Sequence, residues 1–399
     1  MHILHAYKVC HTEIYGGIPE VIRMLANSRQ RGVTSGVLAA RMRGWGRHLA
    51  SGTSPIKLTG SFGTLASTPI TPSYPFALAR EAKRADVLAL HSPFPLNDIG
   101  IRLGIPQRTA LVVHWHAEVL GRPMLSRAFA GLFRTTLCRA DRIVVSSESL
   151  LEGSEALAPH LHKCAVIPFG VDTAFWGTPG DNMSAEVKRL SSAQPRLVLA
   201  VGRLVSYKGF DVLIEALRDL DATAIIVGDG IQANRLRRLV KDRGLTDRVF
   251  LPGSVSRQRL RMLMHAARVF VFPSVTAAET FGIAQLEAMA AGLPIINTAL
   301  PSGVPTVARH GIEALTVPPG DPAPLADAIR CLLDSPGLAA SLGRAGKKRA
   351  AAEYDLRQFI DRTHALYADS IETRSRRVEA LRGLTHLRTL AVDAGATNT

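Results

Sequence analysis

At 399 residues the chain is too long for one ordinary core, and its length predicts two domains with extras. Hydrophobic residues at 47% and charged residues at 20% exclude a disordered or fibrous chain. A formal charge of +15 calls for an anionic partner, a membrane face or a phosphorylated small molecule. Only 6% aromatic residues and no zinc-finger or RNA-recognition signature argue against nucleic acid.

Along the chain, short runs of Val, Ile, Leu and Ala alternate with amphipathic segments, the pattern of βαβ units around a parallel sheet. The start, MHILHAYKVCHTE, lacks the parts of a signal peptide, and no apolar run reaches the roughly 20 residues that span a bilayer, so the chain is expected in the cytosol. Cys10, Cys138, Cys164 and Cys331 are scattered with no CxxC pair and read as buried thiols rather than a disulfide or zinc framework. Strands are predicted at 2–6, 87–90, 110–114, 142–145 and 164–167, then at 197–201, 223–227, 249–251, 269–272, 294–296 and 314–317. Between the two series, PFGVDTAFWGTPGDNMS has no period and reads as a linker. The expected division is a first α/β domain at 1–175 and a second at 176–355. A helix follows at 356–371, then a basic, weakly packed tail at 372–399. Residues 1–170 carry 19 Lys and Arg against 10 Asp and Glu, a net +9 of the total +15, so the basic excess leans to the first domain.

In open α/β sheets ligands bind at the carboxyl ends of the strands. That edge of the second domain is expected to carry Arg203 and Lys208 after its first strand, Gly253 after its third, and PSVTAAETFG after its fourth. Glu279 stands just before a predicted helix and Glu287 eight residues on, inside it. The N–H groups of Phe281, Gly282 and Ile283 at that helix start form a natural phosphate site, with Gly282 permitting close approach. Helical side chains lean toward the N-terminus, so Glu287 is placed to accept ribose hydroxyls. Glu279 is placed to hold sugar hydroxyls. Arg203 and Lys208 supply the positive charge that a leaving diphosphate requires.

Gly202-Arg203, Lys208-Gly209 and the two glutamates in PSVTAAETFGIAQLEAMAAGLPII resemble the retaining GT-B glycosyltransferases of family 4, over roughly residues 1–370. The resemblance implies two Rossmann-like domains with a cleft between them, the first for the acceptor and the second for a nucleotide-sugar donor. It also implies a C-terminal helix crossing back to the first domain. It implies Arg203 and Lys208 on the donor diphosphate, Glu287 on ribose, Glu279 on the sugar, and base recognition near Gly253. INTALPSGVPTVARHGIEALTVPPGD resembles enzymes of bacterial surface-polysaccharide assembly, several of them mannosyltransferases, which implies a hexose moved from a nucleoside-diphosphate sugar, GDP preferred over UDP, to a lipid-linked or saccharide acceptor.

In the first half, Gly16-Gly17 follows the first strand and resembles the family's glycine loop near donor or acceptor, and His116 matches the histidine that reaches the sugar's reacting end. The chain departs from the family at Ala117-Glu118, where Ser-Asp is common. Gly228-Asp229-Gly230-Ile231-Gln232-Ala233 matches a dinucleotide fingerprint, but Asp229 inside the loop argues against a pyrophosphate. Asp219-Leu220-Asp221 precedes a strand, on the edge away from the phosphate motifs, so no metal and no cofactor beyond the donor is expected. Leu125, Phe129, Leu132, Phe133 and Leu137, flanked by Arg122, Arg127, Arg134 and Arg139, form a basic amphipathic helix expected to touch an anionic membrane peripherally. Two rival expectations are a non-catalytic nucleotide-sugar-binding partner and a sugar-nucleotide epimerase of the same fold.

Overall fold

The strands are rich in buried Val, Ile, Leu and Ala on both faces, which is what a parallel sheet covered by helices on each side demands. The computed structural model describes residues 1–14, 16–65, 68–117, 123–180 and 183–396, and the side chains of 123–128 and 383–396 fall outside that description. The chain divides into two compact units. One comprises Met1–Val145, Ser154–Ile167 and Ile360–Thr399, the other Ser146–Gly153 and Pro168–Phe359.

The first unit holds β1 (His2–Ala6), β2 (Thr34–Ala40), β3 (Arg47–Ser51), β4 (Ser54–Thr59), β5 (Thr64–Leu65), β6 (Thr68–Pro69), β7 (Val87–Ser92), β8 (Ala110–Trp115), β9 (Arg142–Val145) and β10 (Cys164–Val166). Eight of them form one sheet in the order β10-β9-β8-β7-β1-β2-β4-β3. Every pairing is parallel except the edge hairpin β3–β4. Five of these strands match expected ones within two residues. Strands β2 to β6 were not expected; residues 41–65 are broken by Gly, Ser, Thr and Arg, which hides the short β3 to β5 from an apolar-run criterion, whereas the apolar run Val37–Ala40 of β2 was legible and missed.

The second unit holds β11 (Leu197–Val201), β12 (Thr223–Val227), β13 (Val249–Gly253), β14 (Val269–Val271), β15 (Ile295–Thr298) and β16 (Ala314–Val317), all parallel. Their order is β13-β12-β11-β14-β15-β16, so the direction of winding reverses between β11 and β14. A doubly wound sheet opens a crevice at such a switch point, at the carboxyl ends of the two strands. Val198, Ala200, Leu213, Ile214, Ile226 and Val271 form the centre of the core beneath it. Each fully buried Leu or Ile side chain there contributes about 2 kcal/mol.

The last helix, Leu356–Ala396, runs past the expected end at 371, where a weakly packed tail was expected. Residues 372–382 contain no Gly or Pro, and Arg374 is buried, reaching Asp141 together with Arg377. Within the first unit this helix is also tied by Arg142–Asp369 at 2.7 Å and by Tyr367 Oη to His114 Nε2 at 2.7 Å. Of the basic helix Pro123–Arg139, Phe133 and Leu137 are buried core residues, and Arg139 bonds Asp141 and the Thr109 carbonyl; Arg122, Leu125 and Arg127 lie outside the described side chains. Among the described residues no helix is long and apolar enough to cross a membrane.

Candidate active site

The two loops that leave β11 and β14 are sutured backbone to backbone. Val275 N–H donates to the Tyr207 carbonyl at 2.8 Å, and Gly209, at φ +65°, sits so close to Pro273 that a Cβ there would lie 2.0 Å from its carbonyl oxygen. This suture brings Lys208 against Glu279: the ammonium pairs with Glu279 Oε2, and each side chain is only 12% exposed. Ser274 Oγ donates to the same carboxylate oxygen at 3.2 Å, and the ammonium lies 4.7 Å from the centre of the Phe272 ring. Lys208 was expected on a diphosphate and Glu279 on a sugar, yet the two groups are partners. A lysine carries three donors, so one can neutralise Glu279 while the others stay available to an anion.

Beside this pair the helix Ile283–Ala291 begins. Gly282, its N-cap, has φ +86°, and a Cβ there would meet the Phe272 ring at 2.8 Å. Phe281 is buried, and the N–H groups of Phe281, Gly282 and Ile283 have no acceptor among the described residues. Half-buried Ile283 and Glu287 are four residues apart on one helix face, so the Glu287 carboxylate leans toward the helix start. The helix is held from behind by a buried network that was not expected from the sequence. Asn297 Nδ2 donates to Gln285 Oε1 at 3.0 Å and to the Ala308 carbonyl at 2.9 Å, while Thr316 Oγ1 donates to Asn297 Oδ1 at 2.7 Å. A polar Asn inside an apolar strand was the available signal.

Arg203 is exposed on the same edge, 3.4 Å from Tyr207 Oη, and pairs with no carboxylate among the described residues. Gly253 ends β13 at φ +82°, and its carbonyl accepts the Gly228 N–H at 3.0 Å. Gly228 and Gly230 are required by close backbone packing. A Cβ on Gly228 would lie 1.9 Å from the Gly202 carbonyl oxygen, and one on Gly230 2.4 Å from that of Leu204. Asp219 and Asp221 lie at the start of β12, the opposite edge of the sheet.

In the first unit Gly16 precedes the helix Gly17–Ala26 with φ 176°, extended backbone that any residue adopts, and Pro19 falls in its first turn. His116 follows β8 and is buried at 4% exposure. It belongs to a cluster absent from the expected site. His116 Nε2 and His91 Nδ1 share a hydrogen at 2.8 Å, His91 Nε2 and His5 Nδ1 at 3.2 Å, and His114 stacks on His91 with ring centres 4.6 Å apart. Burial pushes His116 down to about 3, burial and the nearby His116 push His114 to about 3, and burial holds His5 and His91 well below the usual range. All four rings are therefore neutral at pH 7. The histidines within the apolar runs of β1, β7 and β8 were the legible signal. Glu118 falls outside the described residues.

This edge of the second unit can bind an anion at the helix start, with cations beside it and a carboxylate one turn away. The family model "Glycosyltransferase Family 4" matches residues 15–175, and "Glycosyl transferases group 1" matches residues 184–349. A D-rhamnosyltransferase of Pseudomonas aeruginosa is 30% identical over 351 residues, 88% of this chain and 91% of that protein. An O-antigen chain mannosyltransferase of Escherichia coli is 26% identical over 400 residues, 94% of this chain and 100% of that one. The crystal structure of Anabaena HepE in complex with UDP shares the fold, with TM-score 0.72 at 20% identity over 92% of this chain and 100% of that one. With both family models matched in order and a 30% identical relative aligned over most of its length, the chain belongs to the family 4 glycosyltransferases and has the GT-B fold.

Proposed function

We propose that this glycosyltransferase moves a hexose, mannose in the first instance, from a nucleoside-diphosphate sugar to a lipid-linked or saccharide acceptor with retention of anomeric configuration, in assembly of a bacterial surface polysaccharide. The names of the rhamnosyl- and mannosyltransferase relatives support the polysaccharide setting, and the UDP in the HepE structure supports a nucleotide-sugar donor. GDP is preferred as the base carrier on family resemblance. The observation that carries the proposal is Lys208, held by Glu279 beside the start of the helix Ile283–Ala291.

As the sugar–phosphate bond lengthens, negative charge grows on the departing diphosphate. Arg203, Lys208 and the N–H groups of Phe281, Gly282 and Ile283 stabilise it without having to reorganise. Glu287 accepts the ribose hydroxyls and the backbone near Gly253 meets the base. Glu279 orients the sugar and holds Lys208. The acceptor hydroxyl attacks the face that the diphosphate leaves, and the leaving phosphate takes its proton. His116 offers the sugar a neutral ring nitrogen, and Gly16-Gly17 lets backbone approach a substrate closely. No divalent ion takes part.

Lys208→Ala is expected to lower turnover on the true donor by about 10² to 10³, the cost of losing one preorganised donor to a developing charge. Turnover should persist in EDTA, and NMR of the product should show the donor's anomeric configuration. Activity within a few fold of wild type in the variant, metal-dependent turnover, or an inverted product would each refute the corresponding step. Donor consumption with no acceptor present would indicate an epimerase instead.

A further inference from the structure

Exposed large apolar side chains mostly occur singly on this protein, but Trp45, Phe62, Leu65 and Ile70 stand 91%, 82%, 71% and 46% exposed on loops joined by backbone pairing. Trp45 follows the end of β2 and Phe62 the end of β4, two parallel neighbours. Gly44 and Ser61 exchange hydrogen bonds of 2.8 and 2.9 Å, Phe62 N–H donates to the Ile70 carbonyl at 3.1 Å, and Ile70 N–H to the Gly63 carbonyl at 2.8 Å. Gly46 fits only as glycine, since a Cβ would lie 2.8 Å from the Leu58 carbonyl oxygen. Glu13 anchors the 41–47 loop, accepting the Met42 N–H at 3.1 Å and Arg47 at 2.9 Å. The apolar side chains are thus presented from a built rim, not from a loose tip.

The charge around the rim has a positive surplus. Residues 41–80 contain five Lys and Arg and no Asp or Glu; Lys57 and Arg80 pair with Glu81, and Arg41, Arg43 and Arg47 belong to the 41–47 loop. Arg41 and Arg47 share the single carboxylate of Glu13, and Arg43 is exposed, so the 41–47 loop keeps a positive surplus. Exposed aromatic and aliphatic side chains beside a loop of arginines match the interface of a bilayer, whose acyl boundary takes the apolar groups and whose anionic headgroups take the cations.

We propose that the Trp45–Phe62–Leu65–Ile70 rim docks this protein on an anionic lipid bilayer. The proposal rests on the peripheral membrane contact expected from the sequence but moves it away from the helix Pro123–Arg139, whose buried Phe133 and Leu137 face the core. It holds whichever sugar is transferred, and it gives a lipid-linked acceptor a membrane to come from.

Tryptophan emission reads the contact directly, because Trp115 and Trp176 are 2% and 1% exposed and Trp45 is the third and last tryptophan. With the full chain, vesicles of phosphatidylcholine and phosphatidylglycerol should shift emission to the blue and brominated lipid should quench it. Phosphatidylcholine alone should do neither, and high salt should reverse the effect. In sedimentation, Trp45→Ser with Phe62→Ser should bind anionic vesicles at least tenfold more weakly, with unchanged melting temperature and unchanged turnover on a water-soluble acceptor. Arg134→Glu should bind as wild type does. The proposal is overturned by emission that anionic vesicles leave unmoved, by a double variant that binds normally, or by loss of binding in Arg134→Glu alone. Sedimentation equilibrium showing a dimer that the double variant dissolves would overturn it too, assigning the rim to a second copy. Loss of soluble-acceptor turnover in wild type would count against the transferase proposal and leave the docking result standing.

Discussion

Gly228 and Gly253 both have positive φ, yet they answer to different constraints. Around Gly253 nothing lies within 4 Å of a built Cβ, so only backbone strain opposes a side chain, about 1 kcal/mol for alanine. At Gly228, φ +141°, the same Cβ would run into the Gly202 carbonyl oxygen at 1.9 Å, a backbone atom with nowhere to go. Gly228→Ala is therefore expected to cost roughly 3 kcal/mol or more, and Gly253→Ala about 1 kcal/mol. Urea unfolding of the two variants checks this, and equal midpoints would contradict it. The glycines of the GDGIQA segment were visible in the sequence, but their reason was not. It comes from the loop after β11, 26 residues away in the chain and in contact only once the sheet has formed.

The helix Leu356–Ala396 owes its place in the first unit to charge as well as packing. Asp141 is fully buried, accepts the Leu111 N–H at 2.9 Å, and is approached by Arg377 at 3.2 Å, Arg139 at 3.3 Å and Arg374 at 3.9 Å. Removing the carboxylate leaves these cations without their counter-ion, so Asp141→Ala is expected to destabilise by about 3 to 5 kcal/mol. The half-exposed Asp369, paired with Arg142, serves as the control, and Asp369→Ala should stay within about 1 kcal/mol. Denaturant titration separates the two. If the variants prove equally stable, Asp141 does not anchor the helix.

Across the whole molecule, acid should be the destabilising direction. His5, His91, His114 and His116 are held neutral by burial, with His114 and His116 pushed to about 3 from an ordinary value near 6.5. Between those limits the unfolded chain binds protons that the folded chain refuses. For His114 and His116 the stabilisation is thus present above pH 6.5 and lost as pH falls toward 3, by roughly 1 kcal/mol per pH unit each, and His5 and His91 act in the same direction. Protonation also adds to a charge that is already +15 at pH 7, which strengthens self-repulsion. Urea midpoints measured from pH 7.5 to 4.5 should fall steadily, and a flat profile would show that the cluster is charged or solvated in the folded protein.

The sequence by itself determined the two-sheet architecture, because buried parallel strands must be continuous apolar runs, as Leu197–Val201 and Thr223–Val227 are. It also determined which residue types crowd the carboxyl edge of the second sheet, since βα turns place glycines and charges at that end. Only the tertiary structure decided that Lys208 and Glu279 are partners, that Gln285 and Asn297 brace the helix behind them, and that His116 belongs to a cluster of four imidazoles. Those are pairings between different segments, from twelve residues apart for Gln285 and Asn297 upward. Local periodicity records whether a side chain faces the core or water, and carries no record of which distant side chain it meets there.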